Sequence, residues 1–105
     1  MCGLVGFIDN SKNCSFEENS FYLKKMGESI NHRGPDYSGN YKKNNIFLWH
    51  NRLSIQDLNN RSNQPFINKN KNIYMVFNGE IYNFKELRDE LKSLGHQFDT
   101  TGDTE

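Results

Sequence analysis

Cys2 stands directly behind the initiator methionine, at the head of Met1-Cys2-Gly3-Leu4-Val5-Gly6-Phe7-Ile8-Asp9. Cysteine is small, and an initiator methionine is normally trimmed ahead of a small residue. After trimming, Cys2 carries both a thiol and a free α-amine. An α-amine has a reference pKa of ~7.7–8.0, so near neutral pH part of it is unprotonated and can take a proton. One residue then supplies nucleophile and base together, as in the pairing of a threonine with its own terminal amine. The bland reading is that a lone cysteine near a terminus is a small buried hydrophobe, and position alone favours it. Three other stretches hold polar groups in shaped backbone: His32-Arg33-Gly34-Pro35-Asp36-Tyr37-Ser38-Gly39, Asn51-Arg52, and Asn78-Gly79-Glu80. Taken one at a time, His32 and Arg33 read as surface residues of a loop. Asn78-Gly79 reads as a type I′ hairpin turn.

Composition narrows what such a constellation could serve. The chain has 105 residues, with 13 Lys and Arg balanced by 13 Asp and Glu. This length fits one small domain or part of one, with somewhat over ~60% of the unfolded surface buried on folding. Zero net charge argues against a nucleic-acid partner, and no basic run points to a membrane surface. No apolar stretch approaches the ~18 residues of a membrane span, and no signal-peptide pattern follows Met1. Cys2 and Cys14 make no disulfide framework, and with His32, His50 and His96 scattered the spacing matches no zinc site. A reduced, cytoplasmic location is the default expectation. The last residues, Gly102-Asp103-Thr104-Glu105, read as the start of a helix, with Asp103 or Thr104 as cap. That pattern suggests a piece of a longer protein.

The elements that must position these groups are legible in outline. Residues 3–8 read as a buried strand, with Gly3 and Gly6 admitting close backbone. Ser15 and Glu18 form a capping box for a helix with Leu23, Met26, Gly27 and Ile30 on one face, ending near Asn31. Residues 32–39 form a shaped loop. Ile46 to His50 reads as a strand too apolar for one wet face. Leu53 to Leu58 alternates like a half-buried strand. Residues 59–64 form a polar loop closed by Pro65, and residues 68–72 a solvated turn. Ile73 to Phe77 is strongly β-forming, and Glu80 to Tyr82 resumes it after the Asn-Gly turn. Asn83 caps a second helix with Glu86 at the capping-box position; Leu87, Leu91 and Leu94 make its stripe, and Gly95 ends it. Gln97 to Thr100 is a candidate short strand.

Set in order, these pieces resemble the N-terminal glutaminase domain of the asparagine synthetases, which are class II (N-terminal-nucleophile) glutamine amidotransferases. The matching pieces are Cys2-Gly3-Leu4-Val5-Gly6, His32-Arg33-Gly34-Pro35-Asp36 with Ser38-Gly39, Leu48 and His50 leading to Arg52-Leu53-Ser54-Ile55, Gln64-Pro65, Asn78-Gly79-Glu80-Ile81-Tyr82-Asn83, and Gly102-Asp103-Thr104-Glu105. No single piece is decisive; the ordered set, spanning the chain, is specific. The Leu53-Ser54-Ile55 and Asn-Gly-Glu-Ile-Tyr-Asn segments are similar to the asparagine-synthetase branch. They differ from branches that make glucosamine phosphate or phosphoribosylamine.

The resemblance implies an α+β fold, the N-terminal portion of an αββα Ntn-hydrolase sandwich, with the rest of the glutaminase domain and a synthetase domain beyond Glu105. It implies hydrolysis of L-glutamine, with Cys2 as nucleophile and Asn78 and Gly79 as oxyanion donors. Arg52 is then matched to the glutamine carboxylate and Asp103 to its ammonium. Glu80, Leu53, Ser54, Ile55 and Gln56 line the same pocket. Arg33 and Asp36 shape the adjoining loop, and Cys14 has no assigned role. By spacing alone Arg52 reads equally as a surface ion pair and Asp103 as a plain cap. No metal or cofactor is expected in this segment; ATP and Mg would belong to the synthetase domain, which is the expected partner, with a homodimer left open. Two other readings stand beside this one. The amide acceptor could be a sugar or peptide carboxylate instead of aspartate. The fold could also be a non-catalytic remnant, against which the intact set Cys2, Arg52, Asn78, Gly79 and Asp103 argues.

Overall fold

The computed structural model describes residues 1–55 and 57–105. Its first sheet is antiparallel, built from β1 (Gly3–Ile8), β2 (Tyr37–Lys43) and β3 (Ile46–Arg52), in the order β1-β3-β2. The run that reads as apolar on both sides is thus the central strand, with Leu4 opposite His50 on one flank and Gly39 opposite His50 on the other. Helix α1 (Phe16–Ser29) starts where the capping box places it: Ser15 Oγ accepts the Glu18 N–H at 3.2 Å. It packs on the sheet face that carries Phe47, Trp49 and Asn51. A Cβ on Gly27 would lie 2.3 Å from the Trp49 ring, so helix and sheet meet here only because residue 27 lacks a side chain.

Asn51, wholly buried, locks that contact with polar bonds. Its Nδ2 donates to the Gly27 carbonyl at 2.8 Å, and its Oδ1 accepts from Trp49 Nε1 at 2.8 Å and Ser38 Oγ at 2.7 Å. A buried amide satisfied in this way holds its place without a desolvation penalty. Leu23 and Phe47 are the fully buried apolar side chains, and Phe47 stacks on Phe7 at 4.9 Å between ring centroids.

On the opposite face lies a two-stranded antiparallel sheet, β4 (Phe66–Ile67) with β5 (Tyr74–Met75). The two sheets touch where Tyr41 of β2 stacks on Tyr74 of β5 at 3.8 Å. They also touch where the Gln64 carbonyl passes so close to Gly39 that a Cβ there would be 2.0 Å away. Helix α2 (Phe84–Ser93) follows, and Gly95, at φ +94°, leaves it in the left-handed conformation that glycine favours. The whole is a small mixed α/β structure with two helices and antiparallel sheets.

Several sequence expectations are corrected. Tyr37 to Lys43 is a strand, not an extension of the preceding loop; it is polar because it is a sheet edge, and the hairpin to β3 turns at Asn44, with φ +54°. Leu53 to Leu58 is not a strand among the described residues. The Leu53 and Ser54 N–H groups bond to the Cys2 thiol and the Asp36 carboxylate instead of to a neighbouring strand. In the 73–77 run only Tyr74–Met75 pairs, and it pairs with Phe66–Ile67. Asn78-Gly79 is not a type I′ turn, since neither residue has the positive φ that turn requires, and 80–82 is not a strand. Gln97 to Thr100 is irregular as well. Asn83 holds the N-cap position of α2 but makes no side-chain cap bond.

Candidate active site

The pairing of β1 with β3 puts Gly3 opposite Asn51, which brings Cys2 beside the residues that follow β3. Leu53 N–H points at Cys2 Sγ at 3.3 Å, and Sγ lies 3.7 Å from the Leu53 carbonyl. The Cys2 carbonyl accepts from Arg33 Nε at 3.1 Å. Asp36 ties the same loop to the end of β3: its N–H donates to the Arg52 carbonyl at 3.0 Å, and its Oδ2 accepts the Ser54 N–H at 2.8 Å. Arg33 and Asp36 therefore fix the backbone on both sides of the thiol, as the loop-shaping reading expects. Met1 is 72% exposed and stands beside Cys2 at the same cavity.

A cavity of about 240 Å³ opens in front of the thiol. Cys2, Arg52, Leu53, Ile55, Asn78, Gly79, Glu80 and Asp103 all line it. Four segments far apart in sequence thus supply one site. The volume falls below the ~300–1,000 Å³ of pockets for drug-sized ligands and suits a molecule the size of one amino acid. Ser54 is placed differently: it does not line the cavity but braces Asp36. Gln56 lies outside the described residues.

The charged members of the wall are held firmly. Arg52 is buried; its Nη1 donates to the Asn59 carbonyl at 3.0 Å and Asn63 Oδ1 at 2.7 Å, and its Nη2 donates to the Asp57 carbonyl. The guanidinium is thereby oriented by the loop it anchors. Asp103 Oδ2 accepts the Ile81 N–H at 2.8 Å, which ties it to the segment after Gly79. Asp57, which also lines the cavity, accepts from Thr101 N–H, Ser62 Oγ and Asn59 N–H; these donors hold its carboxyl well below the usual carboxylate range. Burial pushes Glu105 up, but donors from Asp99 and Thr100 outweigh it and leave its carboxyl low.

Sequence reasoning gave Gln64 and His50 no role, although both fall in the ordered motifs. Both are buried and both reach the backbone of Phe77, the residue before Asn78. Burial pushes the His50 imidazole down from its ordinary value, the bond to Phe77 opposes this, and the Arg52 charge adds to it.

A groove of about 1180 Å³ lies between the β4–β5 hairpin and the segment after α2, but it contains none of Cys2, Asn78 or Asp103. Among the described residues no group of three or more His, Cys, Asp or Glu is arranged to hold a metal ion. Nor is any helix there long and apolar enough to cross a membrane.

Comparison with known proteins agrees with this geometry. A family model described as a glutamine amidotransferase domain matches residues 1–105. Asparagine synthetase [glutamine-hydrolyzing] 1 of Bacillus subtilis (strain 168) is 38% identical over 105 residues, covering 100% of this chain and 16% of that protein. Asparagine synthetase [glutamine-hydrolyzing] 3 of Arabidopsis thaliana is 40% identical over 108 residues, covering 100% of this chain and 17% of that protein. The probable asparagine synthetase [glutamine-hydrolyzing] of Dictyostelium discoideum is 38% identical over 109 residues, covering 100% and 18%. The chain thus spans 16 to 18% of the length of these relatives. With the family model matched from residue 1 to residue 105, the chain belongs to the glutamine amidotransferase domain family.

Proposed function

We propose that this chain is the N-terminal portion of a glutaminase domain. In this reading it releases ammonia from L-glutamine and delivers it to an ATP- and Mg-dependent domain of the same protein, which amidates aspartate. The observation that carries the reading is that Cys2, Asn78, Gly79, Arg52 and Asp103 all line one cavity of amino-acid size. The names of the relatives favour aspartate over a sugar or peptide acceptor. The two sheets, with α1 on the outer face of one, fit an αββα sandwich.

The chemistry follows from the groups present. Once Met1 is removed, the Cys2 α-amine takes the thiol proton. The sulfur attacks the side-chain amide carbon of glutamine. Negative charge collects on the former amide oxygen, where the Asn78 amide and the Gly79 N–H serve as donors. One such donor is worth about 10²–10³ in rate. The carbon–nitrogen bond then breaks, the nitrogen takes the proton and leaves as ammonia, and a thioester remains. Water attacks the thioester, returns a proton to the sulfur and releases glutamate. Arg52 brings a fixed positive charge to the wall for the substrate carboxylate, and Asp103 brings a carboxyl for its ammonium. If Met1 stays, the Cys2 nitrogen is an amide and cannot take the thiol proton.

The test is an intact mass of the gene product that carries this chain, beside glutamate release by wild type and Cys2→Ala. A mass lacking methionine, with release by wild type alone, is the expected result. Processed protein that releases no glutamate through Cys2, even with aspartate and ATP supplied, would overturn the reading.

A further inference from the structure

We propose that His50 and Gln64 are positioning residues that fix the Phe77 peptide, and with it the placement of Asn78 and Gly79 against the Cys2 thiol. The inference rests on the glutaminase reading and adds to it the device that aims the oxyanion donors.

Phe77 lies past the last ladder residue of β5, so neither its N–H nor its carbonyl has a strand partner. Half-buried backbone groups that lack a ladder partner take bonds from elsewhere. Gln64 supplies both. Its Oε1 accepts the Phe77 N–H at 2.5 Å, and its Nε2 donates to the Phe77 carbonyl at 3.1 Å. The planar side-chain amide thus stands in for a neighbouring strand. His50 adds a second donor to the same carbonyl, with Nε2 at 3.2 Å. Because a carbonyl only accepts, the proton must sit on Nε2, and Nδ1 is left with a bare lone pair. Nδ1 has no hydrogen-bond partner among the described residues, although the side chain is fully buried. An apolar residue would fill the same space without stranding that lone pair. Packing alone therefore does not account for a histidine here.

The anchor points of this clamp explain what it can transmit. His50 sits on β3 directly opposite Leu4, two residues along β1 from Cys2. The Gln64 backbone is pressed against Gly39, which pairs with His50 from the other side. The nucleophile, directly ahead of β1, and His50 on β3 are therefore carried by the same sheet, and Gln64 leans on it at Gly39. The Asn78-Gly79 segment, which belongs to no strand or helix, takes its position from that sheet through Phe77.

The experiment uses the full gene product, with thiol labelling read at the N-terminal peptide by mass spectrometry so that it reports Cys2. For His50→Leu, glutaminase kcat should fall about 10- to 100-fold with KM within about threefold, because small misplacements of aimed donors cost rate and not ground-state binding. Alkylation of Cys2 by iodoacetamide generates no oxyanion, so its rate should stay within about twofold of wild type. His50→Gln keeps a donor near the Nε2 position and should restore kcat to within about threefold. Gln64→Glu replaces the donor to the Phe77 carbonyl with an acceptor; it should reproduce the kcat loss and serves if His50→Leu does not fold. Unchanged kcat in folded His50→Leu or Gln64→Glu would overturn the inference. So would a parallel loss of kcat and alkylation that His50→Gln does not rescue, since that marks a merely structural role. In either case Cys2-dependent release by wild type would leave the glutaminase reading standing. Without such release, both fall.

Discussion

His50 shows how a single side chain carries both a structural and a thermodynamic signature. Buried on β3 with its imidazole bonded to Phe77, it resists the second proton, and the Arg52 charge adds to that resistance. Its folded pKa lies below the unfolded value of ~6.5. Below that pH the unfolded chain binds a proton that the folded chain refuses, so stability falls as pH drops and rises as pH climbs. The loss amounts to at most about 1.4 kcal/mol per pH unit, until the folded pKa is reached. Denaturation of the gene product at pH 7.5 and pH 5.5 should therefore show a larger drop for wild type than for His50→Gln. The depressed carboxylates, Asp9 and Asp57, contribute stability that is lost only at lower pH, and they are common to both proteins. Equal drops would mean that His50 titrates as freely in the folded chain as in the unfolded one.

At the scale of elements, what the sequence made legible depended on whether local chemistry or distant partners decided the backbone. β1, β3 and α1 were readable because apolar spacing and the Ser15 cap specify them locally. The cavity wall was also largely readable, because the ordered motifs named Cys2, Arg52, Asn78, Gly79 and Asp103 together. β2 was not, because a polar edge strand looks like a loop until β3 lies beside it. Residues 53–55 alternate like a strand, yet Cys2 and Asp36 capture their N–H groups, and no local pattern announces that. The same holds for Asn78-Gly79, whose turn chemistry is overridden by Gln64 and His50 acting on Phe77 from a distance. Glycines mark the places where elements must approach, and Gly27 is the sharpest case. A methyl group there would sit 2.3 Å from the Trp49 ring and would push α1 away from the Asn51 amide that bonds the Gly27 carbonyl. Overpacking of this kind costs about 1–3 kcal/mol. Gly27→Ala should therefore lower the melting temperature of the gene product and expose α1 to proteolysis. An unshifted melt would show that the helix can slide without loss.

At the scale of the molecule, apolar surface is distributed against independent stability. Leu23 and Phe47 are the buried hydrophobic residues, whereas Ile8, Ile55, Leu58, Ile73 and Leu94 are 61%, 70%, 77%, 60% and 70% exposed. Both outer strands of the first sheet, β1 and β2, have one edge without a strand partner among the described residues. On β1, Leu4 and Ile8 are exposed on the face opposite α1. Exposed edges beside exposed apolar side chains are the usual template for association. A chain of this size that buries so little apolar area has little to set against its conformational entropy. The relatives, of which this chain covers 16 to 18%, have the length to cover such surfaces. The 105-residue chain made alone should therefore elute in a concentration-dependent way, bind a hydrophobic dye and melt over a broad range. Its thiol should then be labelled at a rate unlike that of Cys2 in the gene product, because the loop contacts from Arg33 and Leu53 would no longer be fixed. A monomeric chain with a sharp, cooperative melt would show that hydrogen bonding through Asn51, Gln64 and Arg52 stabilises this unit without further cover. In that case the proposed glutaminase activity could be assayed on the chain by itself.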